Sequence, residues 1–393
     1  MSTFKAQVLK ITIEPHPGAD MLELAKIGEY RSIVRKEQFQ TGDLAVFIPP
    51  AAILPDWIIS KLGLEGKLAG SQKNRIKEVK LRGILSEGVI FPVNTTSSEG
   101  DIERPIWIDG VLNEATEVLL VSEGDDVTEF LGITKYEPIV PAHMAGEVCN
   151  VSGYTLKYDI ENWKKFPDIL CDDTKVTISE KIHGTNCQFG YVPNLDNPDL
   201  IDGNVIVISK GLGAQGLSFK DNEKNASNLY VKTYKDCLED GKTIAQRIKE
   251  LAKSGTLSFL SPDTAVYIVG EIFGPGVQSG FTYGLTKPTF LAFDVYVGLP
   301  GKGRYLHEFE KAMLLHDLKI NRVPILYSGP WSKTIIEKYT SGKETLSGKQ
   351  DHMREGIVIT PQLEYTTSEI GRVILKSVSP EYLTRKGDAT EYS

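Results

Sequence analysis

Cysteine is scarce in this chain. Its 393 residues include four, Cys149, Cys171, Cys187 and Cys237, and no two of them have CxxC spacing. That pattern indicates neither a zinc site nor a disulfide framework, and a reducing, intracellular setting is the simple expectation. Long hydrophobic runs are missing too. No stretch approaches the ~18 apolar residues of a membrane span, and MSTFKAQVLKITIEPHPGAD has no apolar core of signal-peptide length. We therefore expect a soluble, cytoplasmic protein with no membrane partner. A basic excess is also lacking, with 44 Lys+Arg against 52 Asp+Glu and a net charge of −8. This argues against a protein that coats nucleic acid nonspecifically, but it leaves room for a local basic groove on an acidic body. Two phosphate-binding signatures are absent as well: no GxxxxGK[ST] occurs, and no GxGxxG lies between a strand and a helix.

What is present suits a globular protein. Apolar residues make up 41% and charged residues 24%, and the length suggests two domains, or three, at roughly 100–200 residues each. Residues 1–135 read as short strands. Phe4–Ile13 alternates apolar and polar, and LAVFI (44–48), GVIFPV (88–93) and VLLV (118–121) are short apolar runs bounded by turn residues. A small OB-like barrel fits. Asp126–Leu131 is expected as a short helix, with Asp126 as N-cap and Gly132 as stop. The Pro-containing stretch from Glu137 is the expected boundary, giving 1–137 as one domain, 138–155 as linker and 156–393 as the second. The second domain reads as mixed strands and helices. TKVTIS (174–179), NVIVIS (204–209), AVYIVGEI (265–272), TFLAFDVYV (289–297), EGIVIT (355–360) and RVILKSV (372–378) are its strands. Residues 220–253 read as one helical stretch, and 303–319 as a strand turning into a helix.

Chemistry-bearing residues sit at the ends of these strands. Lys181 follows a strand in EKIHGTN and is followed by His183 and Gly184; a glycine there lets backbone approach a ligand closely. Glu271 (YIVGEIFGPG) and Asp294 (FLAFDVY) are lone acids in apolar runs, where a carboxylate must be paired or liganded. Glu355 precedes one strand and Lys376 ends another, a charge that could equally be an edge-strand guard. Three carboxylates and three lysines, counting Lys210 in ISKG, could surround a nucleotide, with lysines on phosphates and carboxylates on Mg²⁺.

The ordered series KIHG (181–184), SKG (209–211), GEIFG (270–274), FDVY (293–296), EGIVI (355–359) and LKS (375–377) resembles the motifs of covalent nucleotidyltransferases. The histidine of KIHG, the following GTN and the GPGVQ after Glu271 resemble RNA ligases in particular. HPGADMLE (16–23), LRGILSEGV (81–89) and DVTEFLGITKYEP (126–138) resemble the RNA ligases with an N-terminal OB domain. The resemblance implies an α+β fold: an N-terminal OB-like β-barrel followed by an adenylyltransferase domain of antiparallel sheets flanked by helices. It implies an ATP-dependent RNA ligase that passes AMP through a lysyl-AMP intermediate to an RNA 5′-phosphate, with ATP as co-substrate and Mg²⁺ or Mn²⁺. Carried over, Lys181 is the nucleophile and Lys376 stabilises the α-phosphate. His183, Gly184, Asn186, Lys210, Glu271, Phe293 and Glu355 bind nucleotide, Phe293 by stacking on adenine. Glu271, Asp294 and Glu355 hold metal through water. One departure stands out: the position two before Lys376, commonly lysine in the superfamily, is Ile374, so that Arg372 or another cation must substitute or the phosphate grip is weaker.

For the front domain, Lys73, Arg75, Lys77, Lys80 and Arg82 largely alternate and are expected to contact RNA phosphates, the other reading being a solvated hairpin. Trp163, Lys164 and Lys165 are further candidate substrate contacts. Trp57, Trp107 and Phe47 could stack bases or fill the core. The expected partner is RNA with a nick or break, in duplex or RNA–DNA hybrid, and the expected state is a monomer. Two alternatives remain at this level: a GTP-using capping guanylyltransferase, and a non-catalytic RNA-binding protein on a ligase scaffold. Capping enzymes place their OB domain after the transferase domain, whereas here the motifs run to about 20 residues from the last residue.

Overall fold

The computed structural model describes residues 4–95, 106–112, 115–136, 144–278 and 280–385. The expected boundary loop at 137–143 lies outside them. Contacts divide the chain into two units. The first is Met1–Pro138 with Asn162–Pro167 and Pro380–Ser393; the second is Ile139–Glu161 with Asp168–Ser379. The expected second domain, 156–393, thus yields two short segments to the first unit.

In the first unit the alternating N-terminal run forms two strands, Gln7–Lys10 and Thr12–Pro15. Gln7–Lys10 pairs antiparallel with Leu44–Ile48, which pairs with Val89–Pro92. Thr12–Pro15, Leu22–Ile27 and Tyr30–Arg35 form a second antiparallel sheet, and Ile106–Leu112 pairs with Ala115–Val121. Val8, Val46, Ile48, Ile58, Phe91 and Val121 fill the core. Phe47 is buried, and Trp57 packs edge-on against Phe91, so neither is a free stacking platform. The short helix expected at 126–131 does not form. Asp126 Oδ1 instead accepts from the Thr128 amide and hydroxyl, and this local side-chain bond competes with a helical turn.

The second unit is built on two large antiparallel sheets. One runs, in spatial order, Leu375–Val378, Gly356–Pro361, Lys175–Lys181, Ile325–Pro330. The other runs Val205–Ser209, Thr185–Tyr191, Val266–Phe273, Thr289–Val297, Arg304–Tyr305. Tyr267, Val269 and Tyr296 of the second sheet share an apolar cluster with Ile374 and Val358 beside the first. The opposite face of the second sheet (Phe189, Val207, Ile268, Val295) is covered by helices through Leu229, Tyr234, Ile248 and Leu314. The stretch read as one helix is two, Leu229–Asp236 and Ile244–Ser254. Each has its own N-cap, Asn228 and Thr243, and the Asp240-Gly241 turn lies between them with both residues at positive φ. Capping residues therefore outweigh a periodicity that runs through the break.

Candidate active site

Lys181 ends its strand, and only Ile182, His183 and Gly184 separate it from the Thr185–Tyr191 strand of the other sheet. The turn must lie tight: a Cβ on Gly184 would stand 2.2 Å from the Ile272 carbonyl oxygen. Cross-strand partners share a face of a sheet. Lys181 is opposite Gly356, which is opposite Val378; one layer on, Ser179 is opposite Val358, which is opposite Lys376. Both lysines therefore belong to one face. On the second sheet Asn186 is opposite Glu271, on the face that carries Val269.

Lys181 Nζ donates to Glu355 Oε1 at 2.7 Å, and Glu355 Oε2 is 3.5 Å from His183 Nδ1. The Glu355 side chain is 1% exposed, and its Oε2 is a buried oxygen with no hydrogen bond among the described residues. A buried carboxylate of this kind suits a cation or a metal-bound water. A small cavity between the sheets is lined by Ser179, Val358 and Thr177 on one side and by Phe293 and Tyr158 on the other, with Glu308 and Lys311 also on its wall. Phe293 and Val358 are the side chains there that suit contact with a planar base. Lys210 is the first residue of a short helix and is ion-paired to Asp159 at 2.9 Å, with both side chains exposed.

The structure corrects Asp294 as a metal ligand. It is 1% exposed, and its Oδ2 accepts from Arg372 at 2.5 Å and from the Tyr158 hydroxyl at 2.9 Å. Arg372 also bonds Glu364, and Lys311, 3% exposed, lies 4.0 Å from Asp294 and 3.1 Å from Glu308. Burial alone would raise the Asp294 pKa, but Arg372 and then Lys311 outweigh it and hold the carboxyl below its usual range. Burial is also the largest influence on Glu364 and leaves it raised, despite Arg372. This network anchors the far side of the cleft, and Arg372 is committed to it rather than to a phosphate. Ile374, at the departing motif position, is buried in the inter-sheet cluster, where a charged group would be costly. Sequence reasoning missed the network. Its signal was Lys311, a lysine on the apolar face of a helix beside Leu314 and Leu315.

A second correction concerns the basic run. Arg75 is 2% exposed, with its guanidinium 4.1 Å over the Tyr136 ring, so it cannot meet RNA. Nor does the run form one alternating strand: Lys73 is at positive φ, and Val79–Leu81 turns back at Arg82-Gly83 into Ile84–Ser86. Lys73, Lys80 and Arg82 are exposed, and Lys77 is half-buried. Replacing Arg75 by alanine is expected to cost about 2 kcal/mol or more of stability through the lost ring contact and to leave RNA affinity unchanged. Denaturant melts beside a binding titration check this. Lys164 likewise serves inside its unit, bonding Glu87 at 2.5 Å.

A strand-end lysine paired with a buried glutamate, on the same sheet face as a second lysine, can take up a phosphoryl group and stabilise its charge. The chain belongs to the RNA ligase family, whose model matches residues 174–378. A second model, described as an OB-fold domain, matches residues 6–93. No curated protein matches the chain. Among solved structures it is similar to a Naegleria gruberi RNA ligase with PPi, at 21% identity and TM-score 0.66, covering 97% of this chain and 98% of that one. Mutants of that ligase with ATP and Mn and with AMP and Mn are each 20% identical, again at TM-score 0.66, covering 96% and 97% of this chain and 98% of theirs. The expected fold class, an OB-fold domain and a nucleotidyltransferase domain of antiparallel sheets, is thereby borne out. Among the described residues no helix is long and apolar enough to cross a membrane.

Proposed function

We propose that this RNA ligase uses ATP and joins RNA 3′-OH and 5′-phosphate ends through a lysyl-AMP intermediate on Lys181. The observation that carries this reading is the place of Lys181: its Nζ is held by buried Glu355 on the sheet face that also carries Lys376 and that, through Ser179 and Val358, lines the cavity with Phe293. In the first step Nζ, having lost a proton, attacks the α-phosphorus of ATP. A P–N bond forms, the P–O bond to pyrophosphate breaks in line, and a second proton leaves the nitrogen. Lys376 stabilises charge on the α-phosphate. Phe293 stacks on adenine, while Glu271, Asn186, His183 and Gly184 border the ribose and phosphates. Lys210 meets the nucleotide or the incoming RNA phosphate once it leaves Asp159. AMP then passes to the RNA 5′-phosphate, giving a 5′–5′ pyrophosphate, and attack by the 3′-OH releases AMP.

Glu355 and Glu271 are the residues that would hold Mg²⁺ or Mn²⁺, through water. When bound, such an ion neutralises phosphate charge. The similarity to ligase structures with ATP and Mn or AMP and Mn supports both the nucleotide and the ion.

RNA carrying a nick or break, in duplex or hybrid form, is the proposed substrate, and Lys73, Lys80 and Arg82 its phosphate contacts. The acting species is proposed to be a cytoplasmic monomer. The test is ligation of a 5′-labelled nicked RNA duplex with ATP and Mg²⁺. We expect a longer labelled strand, and an adenylylated 5′ end when the 3′-OH is replaced by a 3′-deoxy end. Neither product from any broken RNA, duplex or single-stranded, would sink the reading. Removing Lys80 or Arg82 is expected to weaken RNA binding and to lower the dependence of log K on log salt by about one unit each.

A further inference from the structure

The turn that carries the nucleophile is braced by a loop that none of the roles above uses. Between Lys181 and Thr185 the backbone leaves one sheet before joining the other, so its polar groups need partners from elsewhere. The His183 amide donates to the Tyr283 hydroxyl at 2.8 Å, and the Gly184 carbonyl accepts from Gln278 Nε2 at 3.1 Å. Tyr283 is 3% exposed and sits at φ +53°, in the left-handed region that a bulky aromatic rarely adopts. A conformation of that kind persists only where the surroundings fix it, and such positions cluster at functional sites.

The surroundings here are aromatic. The Tyr283 ring meets Phe273 at 5.1 Å and 84° and His352 at 4.3 Å and 86°. Phe281 stands edge-on to His183 at 4.3 Å and to His352 at 4.7 Å. The neighbouring residue on the nucleophile strand, Glu180, is tied in turn to the 343–354 loop through the Thr345 amide at 2.9 Å and hydroxyl at 2.6 Å. Two loops from distant parts of the chain therefore grip the residues on either side of Lys181.

We infer that Tyr283 is a positioning residue for adenylylation: its hydroxyl fixes the His183 amide and so the register of the Lys181–Gly184 turn. The inference rests on the reading of Lys181 as the nucleophile. Without the hydroxyl, the buried His183 N–H loses its acceptor, and the turn must shift to find another. His183 and Lys181, which meet opposite oxygens of Glu355, then move relative to the cleft. An in-line displacement tolerates little of this, a misplacement of about 1 Å costing on the order of 10²-fold in rate.

Tyr283→Phe keeps the ring contacts and removes only the hydroxyl. Single-turnover transfer of label from α-labelled ATP to the chain, at saturating ATP, is expected to slow roughly 100-fold. Hydrogen exchange, which needs no nucleotide, is expected to quicken at the His183 amide while the Lys175–Lys181 strand keeps its protection. A wild-type rate in the variant, or an unchanged His183 amide, overturns the inference. Protection lost evenly across both sheets overturns it as well, since that marks a general structural role. Absence of label on the wild-type chain would instead count against Lys181 as nucleophile, and the exchange measurement would still decide the brace.

Discussion

Exchanging Lys181 for arginine is expected to abolish sealing, with a loss of at least ~10⁴-fold, and to leave the chain folded. Arginine keeps a cation beside the buried Glu355 carboxylate, so the ion pair and its contribution to the fold survive. A guanidinium has no accessible lone pair at neutral pH, because it is not deprotonated in proteins. Alanine is the less informative exchange. It removes the nucleophile but also leaves Glu355 buried without its lysine, which mixes a stability loss into the activity loss. Sealing assays and thermal melts on the arginine variant separate the two. If arginine at 181 seals nicks at a wild-type rate, Lys181 contributes charge alone and the covalent mechanism is wrong.

Asp294→Ala is expected to destabilise the second unit by about 3–5 kcal/mol at neutral pH, the range for breaking a buried charge network from one side. Arg372 and Tyr158 would lose their shared acceptor, and Lys311 a counter-charge. The pH dependence follows from the direction of the shift. Asp294 is held below its ordinary value of 3.8. Its stabilising contribution is therefore complete above pH 3.8 and is lost as pH falls through the lower, folded-state value. Glu364, raised above 4.5, has the opposite sign: its contribution is greatest below that pH and declines as pH rises. The gap in unfolding temperature between wild type and Asp294→Ala should thus be wide at pH 7 and narrow in strong acid. A gap that is small at pH 7 would mean that Arg372 finds another acceptor and that the network is not an anchor. Because Asp294 adjoins Phe293, which lines the cavity, a fall in nucleotide affinity should accompany the loss.

Much of this was legible in the sequence because several strand-end charges recur in one ordered series, although each alone has an ordinary structural reading. Lys181, His183 and Glu355, marked by their strand-end positions and then by motif order, meet within hydrogen-bond or ion-pair distance. The strands were legible because alternation and apolar runs map onto burial, as in buried Ala6 and Val8 against exposed Lys5 and half-buried Gln7. Asp294 was misread because a lone acid in an apolar strand announces only that it needs a partner. Arg372, Glu364 and Lys311 are remote in sequence, and only the folded sheet brings them together. Arg75 was misread for the converse reason. Counting cations in a run says nothing of which one turns inward onto Tyr136. The brace on the nucleophile turn left no pattern at all, since Tyr283 and His352 are ordinary residues until their loops close over His183.

The most direct test of the central claim is intact-mass measurement of the protein after pyrophosphate treatment and incubation with Mg²⁺ and ATP or GTP, followed by mapping of any adduct. The account predicts one AMP per chain from ATP alone, acid-labile and carried by the peptide that contains Lys181. An adduct from GTP would move the chain to guanylyl transfer, and an adduct on any other residue, or none from either nucleotide, would contradict it.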